Sequence, residues 1–268
     1  MILIAAGLLS LCYTASAFKE SDIKVLSESM NKEIPVTVIT PDGYENGHEY
    51  PVIYLLHGHS GDHRMWTGEG IVGKLADRYG IMMVLPDGKN EIIIPLDKKR
   101  YLITDLTREE LIEYIDSNYK TIRDRKARAI TGLSMGGHGA LYLAFRHPDI
   151  FGSAGSTSGG VDFRPFPEKW ELSERLGKYE EYPENWENNT VINMTHLIRP
   201  GQINLIIDCG TEDFFYEVNC NLHEKLLKEG IPHDFHVRPG VHWWTYWRNS
   251  IQYQILYFSL CFEYAFAA

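Results

Sequence analysis

Ile130-Thr131-Gly132-Leu133-Ser134-Met135-Gly136-Gly137-His138-Gly139 stands between two segments of different character. On its N-terminal side, Ala127-Arg128-Ala129-Ile130 alternates small apolar and charged residues, which suits a strand entering a sheet. On its C-terminal side, Ala140-Leu141-Tyr142-Leu143-Ala144-Phe145-Arg146 is rich in helix formers and is stopped by Pro148. Strand, Gly-x-Ser-x-Gly turn and helix together make a nucleophile elbow, in which the serine is strained and its neighbours must let strand and helix crowd together. Gly132, Gly136 and Gly137 meet that requirement. Ser134 then stands clear of the sheet at a helix N-terminus, where developing negative charge is stabilised. A tight glycine turn before a helix is also an ordinary connection, so the chemical reading needs a base, an acid and an oxyanion hole from elsewhere.

Candidates for all three occur at strand ends. Pro51-Val52-Ile53-Tyr54-Leu55-Leu56 is a continuous apolar run, expected of a central strand covered on both faces. It runs into His57-Gly58-His59-Ser60-Gly61-Asp62, a glycine-bearing loop where a backbone amide can face the substrate oxygen. That donor is assigned to His59, with the Met135 amide as its companion. His57, His59 and His63 lie close together, but no carboxylate pattern completes a metal site, and neither a metal nor an organic cofactor is expected. Ile203 to Asp208 reads as a strand followed by Cys209-Gly210-Thr211-Glu212-Asp213. The loop position gives Asp213 better reach than Asp208, so Asp213 is the expected acid and Asp208 a turn residue. Among eleven histidines, His242 is the expected base, because Arg238-Pro239-Gly240-Val241-His242 follows the last strand and can turn back to Ser134. Trp243 and Trp244 beside it are candidate substrate contacts, able to stack on a sugar or a phenolic acyl group, although aromatics there also suit the packing of a terminal helix.

The remaining pattern alternates strands and helices. Lys24 to Ser27, Ile34 to Thr40, Ile81 to Leu85 and His233 to Val237 read as strands, with Pro35 suggesting a sheet edge. Ile71 to Tyr79, Leu106 to Tyr119 and Leu222 to Glu229 read as helices, the second opened by a Thr107/Glu110 capping box. The closing stretch to Phe262 suits a terminal helix, and its aromatic density would equally suit a buried strand. Residues of about 160–200, rich in Trp, Tyr, Pro, Glu and Asn, fall where a lid-like insertion would cover the site. The expectation is an α/β protein with a doubly wound, mostly parallel sheet and helices on both faces.

With 268 residues and no linker or repeat, the chain is expected to form one domain from residue 18 onward. A formal net charge of −10 argues against a nucleic-acid or anionic-membrane partner and leaves a neutral or modestly charged substrate. Ile2 to Tyr13 is nearly all apolar, and Ala15-Ser16-Ala17 supplies a small-x-small cleavage pattern, so 1–17 reads as a signal peptide and the mature chain as secreted or periplasmic. The apolar run is too short for a stable membrane span. Cleavage would leave Cys209, Cys220 and Cys261; the first two could bridge in an oxidising compartment, or all could be buried thiols.

Tyr54-Leu55-Leu56-His57-Gly58, Gly132-Leu133-Ser134-Met135-Gly136-Gly137, Cys209-Gly210-Thr211-Glu212-Asp213 and Pro239-Gly240-Val241-His242-Trp243, in that order, resemble the esterase D family of α/β-hydrolases. That family includes feruloyl and acetyl-xylan esterases, S-formylglutathione hydrolases, tributyrin esterases and mycolyltransferases. The resemblance implies Ser134 as nucleophile, Asp213 as acid, His242 as base, and the His59 and Met135 amides as oxyanion hole. It implies a small-molecule or oligosaccharide ester as substrate and a serine carboxylesterase as the enzyme, one that could remove feruloyl or acetyl groups from plant polysaccharide. An acyltransferase, an S-formylglutathione hydrolase-like thioesterase and a non-catalytic carbohydrate-binding protein on the same scaffold are the alternatives. After Pro86-Asp87-Gly88 the chain departs from the family, with Lys89-Asn90-Glu91-Ile92-Ile93-Ile94 in place of an aromatic and acidic stretch.

Overall fold

The computed structural model describes residues 18–28, 31–89 and 110–267; the expected leader and Thr107 of the expected capping box lie outside them. The strands are β1 (Lys19–Ser27), β2 (Lys32–Thr40), β3 (Val52–Leu56), β4 (Met82–Pro86), β5 (Arg128–Gly132), β6 (Ser153–Thr157), β7 (Asn204–Gly210) and β8 (Asp234–Arg238). They form one sheet in the order β1-β2-β4-β3-β5-β6-β7-β8. β2 pairs antiparallel with β1 and β4, while every pairing from β4 across to β8 is parallel. The chain moves outward from β3 to β4 and returns to β5 on the other side of β3, so the strand order reverses between β3 and β5. In such sheets a crevice opens outside the carboxyl ends of the two strands at the reversal, and ligands bind there.

Side chains alternate across the sheet and build two cores. Val52, Tyr54 and Leu56 of β3 join a layer containing Leu111, Ile112 and Ile115 of α2 (Leu111–Asn118), Ala140 to Phe145 of α3 (Met135–Arg146), and Val218, Leu222 and Leu226 of α6 (Tyr216–Lys228). Ile53 and Leu55 face the opposite layer, with Val72, Leu75 and Ala76 of α1 (Ile71–Tyr79) and Ile251, Ile255, Phe258 and Phe262 of α7 (Trp244–Phe266). The central strands β3, β4, β5 and β6 are therefore buried along their whole length; in β3 and β4 an apolar run is the sequence trace of that, while β5 (Arg128–Gly132) and β6 (Ser153–Thr157) are buried with small and polar residues.

Three local expectations change. Pro35 is not on an edge, because β1 covers β2; its carbonyl accepts from Asp87 N at 2.9 Å, so its missing N–H faces the place where the ladder with β4 runs out. α6 begins at Tyr216, six residues before the expected start at Leu222. Tyr, Val and Asn are weak helix formers, and this first turn is held instead by burial of Val218 and by Asn219 Nδ2, which donates to Gly159 O (2.9 Å) and Phe215 O (2.8 Å). The closing stretch is helical to Phe266, and its apolar residues recur at helical spacing against the second core.

The segment between β6 and β7 carries α4 (Leu172–Leu176), α5 (Pro183–Glu187) and a 3₁₀ segment, Val191–Leu197. It has a small core of its own, made of Phe163, Leu172, Leu176 and Trp186. Trp170 (φ 53°) and Glu171 (φ 59°) both take the left-handed conformation at its entry, a strained geometry held by the aromatic packing around Trp170.

The elbow is where backbone meets backbone most closely. A methyl at Gly136 would lie 2.5 Å from His57 O and 2.6 Å from Leu56 O, and one at Gly132 would lie 2.7 Å from Leu56 O. Gly136→Ala is expected to destabilise the protein by at least about 2 kcal/mol, because α3 must move off β3. Urea unfolding of the variant and the parent checks this; equal midpoints would show that the helix can yield.

Candidate active site

β5 ends at Gly132, and Ser134 follows as the residue capping α3, with φ 55° and ψ −115°. No side chain caps this helix, and Met135 is its first residue, so the Met135 amide is one of the first-turn N–H groups that no intrahelical carbonyl reaches. Ser134 is pinned to the neighbouring strand by its own amide, which donates to Thr157 O at 2.9 Å. Behind it, Gln254 of α7 donates to Thr157 Oγ1 (2.7 Å) and accepts from Thr131 Oγ1, while Ser250 Oγ lies 2.8 Å from Thr157 Oγ1. These groups are buried, and together they fix the elbow against the C-terminal helix.

His242 Nε2 lies 2.9 Å from Ser134 Oγ, and His242 Nδ1 lies 2.8 Å and 3.0 Å from the two carboxylate oxygens of Asp213. A carboxylate only accepts, so Nδ1 carries the proton and Nε2 is left to accept from the serine hydroxyl. The Asp213 side chain is fully buried, and its Oδ1 also accepts from Phe215 N at 2.8 Å. The structure thus brings together Ser134, Asp213 and His242 from three separate loops.

The acid and base loops are tied to each other directly. Thr211 N donates to Arg238 O (2.9 Å), Glu212 N to Gly240 O (3.1 Å), and Gly240 N to Glu212 Oε2 (2.5 Å). A methyl at Gly210 would sit 2.1 Å from Gly240 O, so only glycine permits this approach. Asp208 is not in a turn as expected. It belongs to β7, is buried, and pairs with Arg238 of β8 rather than with His242.

The three clustered histidines diverge. His57 Nε2 accepts from Gly88 N at 2.9 Å, so its Nδ1 holds the proton and donates to Gly58 O at 2.7 Å. The buried ring thereby fixes the loop carrying His59, and burial holds its pKa below the ordinary histidine value. His63 turns toward Asp22 at 3.9 Å, and His59 Nδ1 meets Ser60 Oγ at 3.0 Å.

Two spaces adjoin Ser134. A small cavity of about 30 Å³ is walled by Met135, Phe163, Trp170, Leu172 and Phe215, with His59, His138 and Arg175 also on its surface. An open cleft of about 610 Å³ runs past His242 and is lined by Phe166, Lys169, Trp170, Phe214, Trp243 and Trp247. Trp243 is 61% exposed on the rim of that cleft. Trp244 lines neither space. As the first helical residue of α7 it points away and packs edge-on against Trp66 and Trp247, with ring centroids 5.4 Å apart in both cases, which corrects its reading as a substrate contact. Sequence reasoning missed Phe214, whose half-exposed ring lies 4.3 Å from the His242 ring, and Trp170, stacked on Phe214 at 5.8 Å. Asp213-Phe214-Phe215 carried the signal, since an aromatic pair beside the acid faces whatever the acid faces.

Cys209, Cys220 and Cys261 are free thiols, and burial pushes the Cys209 thiol up. No helix among the described residues is long and apolar enough to cross a membrane.

The parallel sheet, elbow and loop order define an α/β-hydrolase. A family model described as "Putative esterase" matches residues 27–258, and the chain belongs to this esterase family, the esterase D family that its motifs resemble. It is an enzyme, a carboxylic ester hydrolase of the serine class. An acetyl esterase of Caldicellulosiruptor saccharolyticus is 25% identical over 217 residues, 74% of this chain and 79% of that one. An endo-1,4-beta-xylanase/feruloyl esterase of Xylanibacter ruminicola is 34% identical over 155 residues, half of this chain but 21% of the relative. A solved ferulic acid esterase superposes with a TM-score of 0.79 at 25% identity, covering 92% of this chain and 99% of the other.

The buried histidines carry a pH signature. Burial lowers the pKa of His138 to about 4 and also lowers that of His57. Below about 6.5 the unfolded chain takes up protons that the folded chain refuses. Stability is therefore expected to fall as pH drops from 6.5 toward 4, by up to about 1.4 kcal/mol per pH unit for each fully refusing ring. Urea midpoints at several pH values check this, and His138→Phe should flatten the slope.

Proposed function

We propose that the protein is a secreted serine carboxylesterase that works through an acyl-enzyme on Ser134 and takes aromatic acyl groups. The observation that carries this reading is the chain of contacts from Asp213 through His242 to Ser134 Oγ, at 2.8 Å and 2.9 Å. His242 takes the serine proton as Oγ attacks the ester carbonyl, and Asp213 stabilises the imidazolium that forms. The amides of His59 and Met135 hold the oxyanion. His242 then delivers the proton to the departing alcohol, and water repeats the sequence on the acyl-enzyme. Each step moves a proton between these side chains and the reactants, and no cofactor takes part.

The walls of the two spaces support the substrate class. The cavity walls of Phe163, Trp170 and Phe215 offer ring faces against which a planar phenylpropenoyl group can pack. The open cleft past His242 suits a sugar alcohol, for which Phe214, Trp243 and Trp247 offer ring faces. The ferulic acid esterase and xylanase/feruloyl esterase relatives support the same class. Export rests on the apolar run ending in Ala15-Ser16-Ala17 and predicts a mature chain beginning at Phe18, which N-terminal sequencing of the exported protein tests.

Ser134→Ala is expected to lower kcat on methyl ferulate by up to ~10⁶ and to abolish labelling by a fluorophosphonate probe, with the unfolding midpoint retained. Asp213→Asn is expected to cost ~10⁴, since it permits the wrong imidazole tautomer. Undiminished turnover by either purified variant overturns the assignment.

A further inference from the structure

β8 is the last strand of the sheet, and no strand lies beyond its outer edge among the described residues. The sheet's other edge, β1, carries Lys19, Glu20, Asp22 and Lys24, the kind of charges that keep an open edge from pairing. β8 lacks that guard along its middle, Phe235-His236-Val237, and all five of its residues are exposed or half-buried. Arg238 O faces inward, where it accepts from Thr211 N at 2.9 Å. Backbone groups alternate sides along a strand, so the N–H and C=O of Asp234 and His236 also face β7, while those of Phe235 and Val237 point out of the sheet.

One flank of α7 runs above this edge. The Tyr253 ring lies 4.6 Å from the Arg238 guanidinium and 6.3 Å from the His236 ring, which joins helix and strand edge into one surface. Tyr253, Leu256, Leu260 and Tyr264 recur at three- and four-residue spacing, so they form a single stripe, and they are from 40% to 78% exposed. A contiguous apolar stripe of this kind marks an interaction surface.

The geometry points to a second copy of this chain as the occupant, with two β8 strands pairing antiparallel about a two-fold axis through His236. The register follows from the outward groups and the charges. An axis at His236 sets Phe235 opposite the partner's Val237, and the two exchange N–H···O=C bonds on each side of the axis, giving four backbone bonds. The same axis sets Asp234 opposite the partner's Arg238, so the strand's one acidic and one basic residue meet twice across the interface. Moving the axis to Phe235 or Val237 breaks both charge pairs, and at Val237 it also places Pro239, which has no N–H, against Phe235. Residues opposite each other in an antiparallel pair project to the same face, so both α7 helices lie on one side of the joined sheet and their stripes cover each other. The stripe supplies apolar area toward the ~800 Å² per partner that a stable dimer buries, which strand pairing alone does not reach. The contact is isologous and closes at two copies.

Sedimentation velocity tests the assembly. The parent is expected to sediment as a dimer from micromolar concentrations upward, and Val237→Pro is expected to raise the dissociation constant at least ~tenfold. In one molecule the Val237 N–H points away from β7, so proline there costs no bond within the chain, and turnover of nitrophenyl acetate by the variant reports its fold. Leu256→Glu combined with Leu260→Glu is expected to weaken the dimer by a similar factor from the helix side, and Asp234→Lys, which sets like charges opposite each other, by roughly threefold or more. His236→Cys reads the register without relying on the proline variant. Facing residues at the axis have Cα atoms about 4.5 Å apart, within disulfide reach, so oxidised glutathione is expected to link two copies through this position while the parent, with Cys209, Cys220 and Cys261, stays unlinked. A monomer at every concentration, a dimer unaffected by Val237→Pro, or failure of His236→Cys to cross-link overturns the inference.

Discussion

The close approach of α3 to β3 is the constraint on which the rest of the molecule depends. Gly136 lies so near the carbonyls of Leu56 and His57 that no side chain fits between them. The helix can therefore start directly above the sheet with Ser134 forced into a left-handed backbone conformation at its mouth. A single hydrogen bond could not hold such a residue; the contacts around it do. The Ser134 amide is bound to Thr157 O, and Thr157 and Thr131 are bound to α7 through Ser250 and Gln254. Strain at the nucleophile is thus balanced by a buried polar network on the opposite face of the sheet. The same crowding aims the uncapped N-terminus of α3 at the space above Ser134, so one packing solution supplies both the nucleophile's exposure and the field that stabilises charge there.

The two carboxylates of the β7 region show how one short segment divides structural and chemical work. Asp208 is inside the strand and neutralises Arg238 on the adjacent strand, a buried pair whose loss would leave an uncompensated charge. Asp213, five residues later, has left the sheet, and its carboxylate faces His242 with no cation in between. Glu212 joins the two tasks, because its carboxylate and amide both hold Gly240 and so set where the loop bearing His242 begins. These contacts set how far the loop bearing His242 reaches, independently of its hydrogen bonds to Asp213 and Ser134.

Much of this was legible in the sequence because it depends on local chemistry. The elbow needs glycines at fixed offsets, β3 and β4 show their burial as uninterrupted apolar runs, and the loop position of Asp213 follows from where the β7 run ends. What escaped depends on tertiary context. The first turn of α6 has weak intrinsic propensity and is stabilised by Asn219 bonding to Gly159, sixty residues away in sequence. Pro35 looked like an edge residue because nothing local reveals that β1 folds back over β2. Trp243 and Trp244 are neighbours in sequence, yet helix geometry sends one to the cleft and the other into the core. His138 carried no motif of its own, and its interest arises only when Gly160 and Phe163 from another loop close around it.

The segment between β6 and β7 divides the space beside Ser134 into two unlike compartments. Its own core is four residues, so it gains little stability by itself and leans on the main body through aromatic contacts of Trp170 with Phe214 and Phe215. Those two phenylalanines follow Asp213 in its loop, and Phe214 in turn lies against the His242 ring. The wall between cavity and cleft is therefore made of residues fastened to the catalytic loops rather than of an independent flap. In the proposed reading, an acyl group seated against Trp170 and Phe215 touches the same aromatic cluster that packs on His242, so filling the cavity and orienting that ring are physically linked. On the proposed function, that coupling favours ligands rigid enough to press on the whole wall, and a planar aromatic acyl group would gain beyond the area it buries.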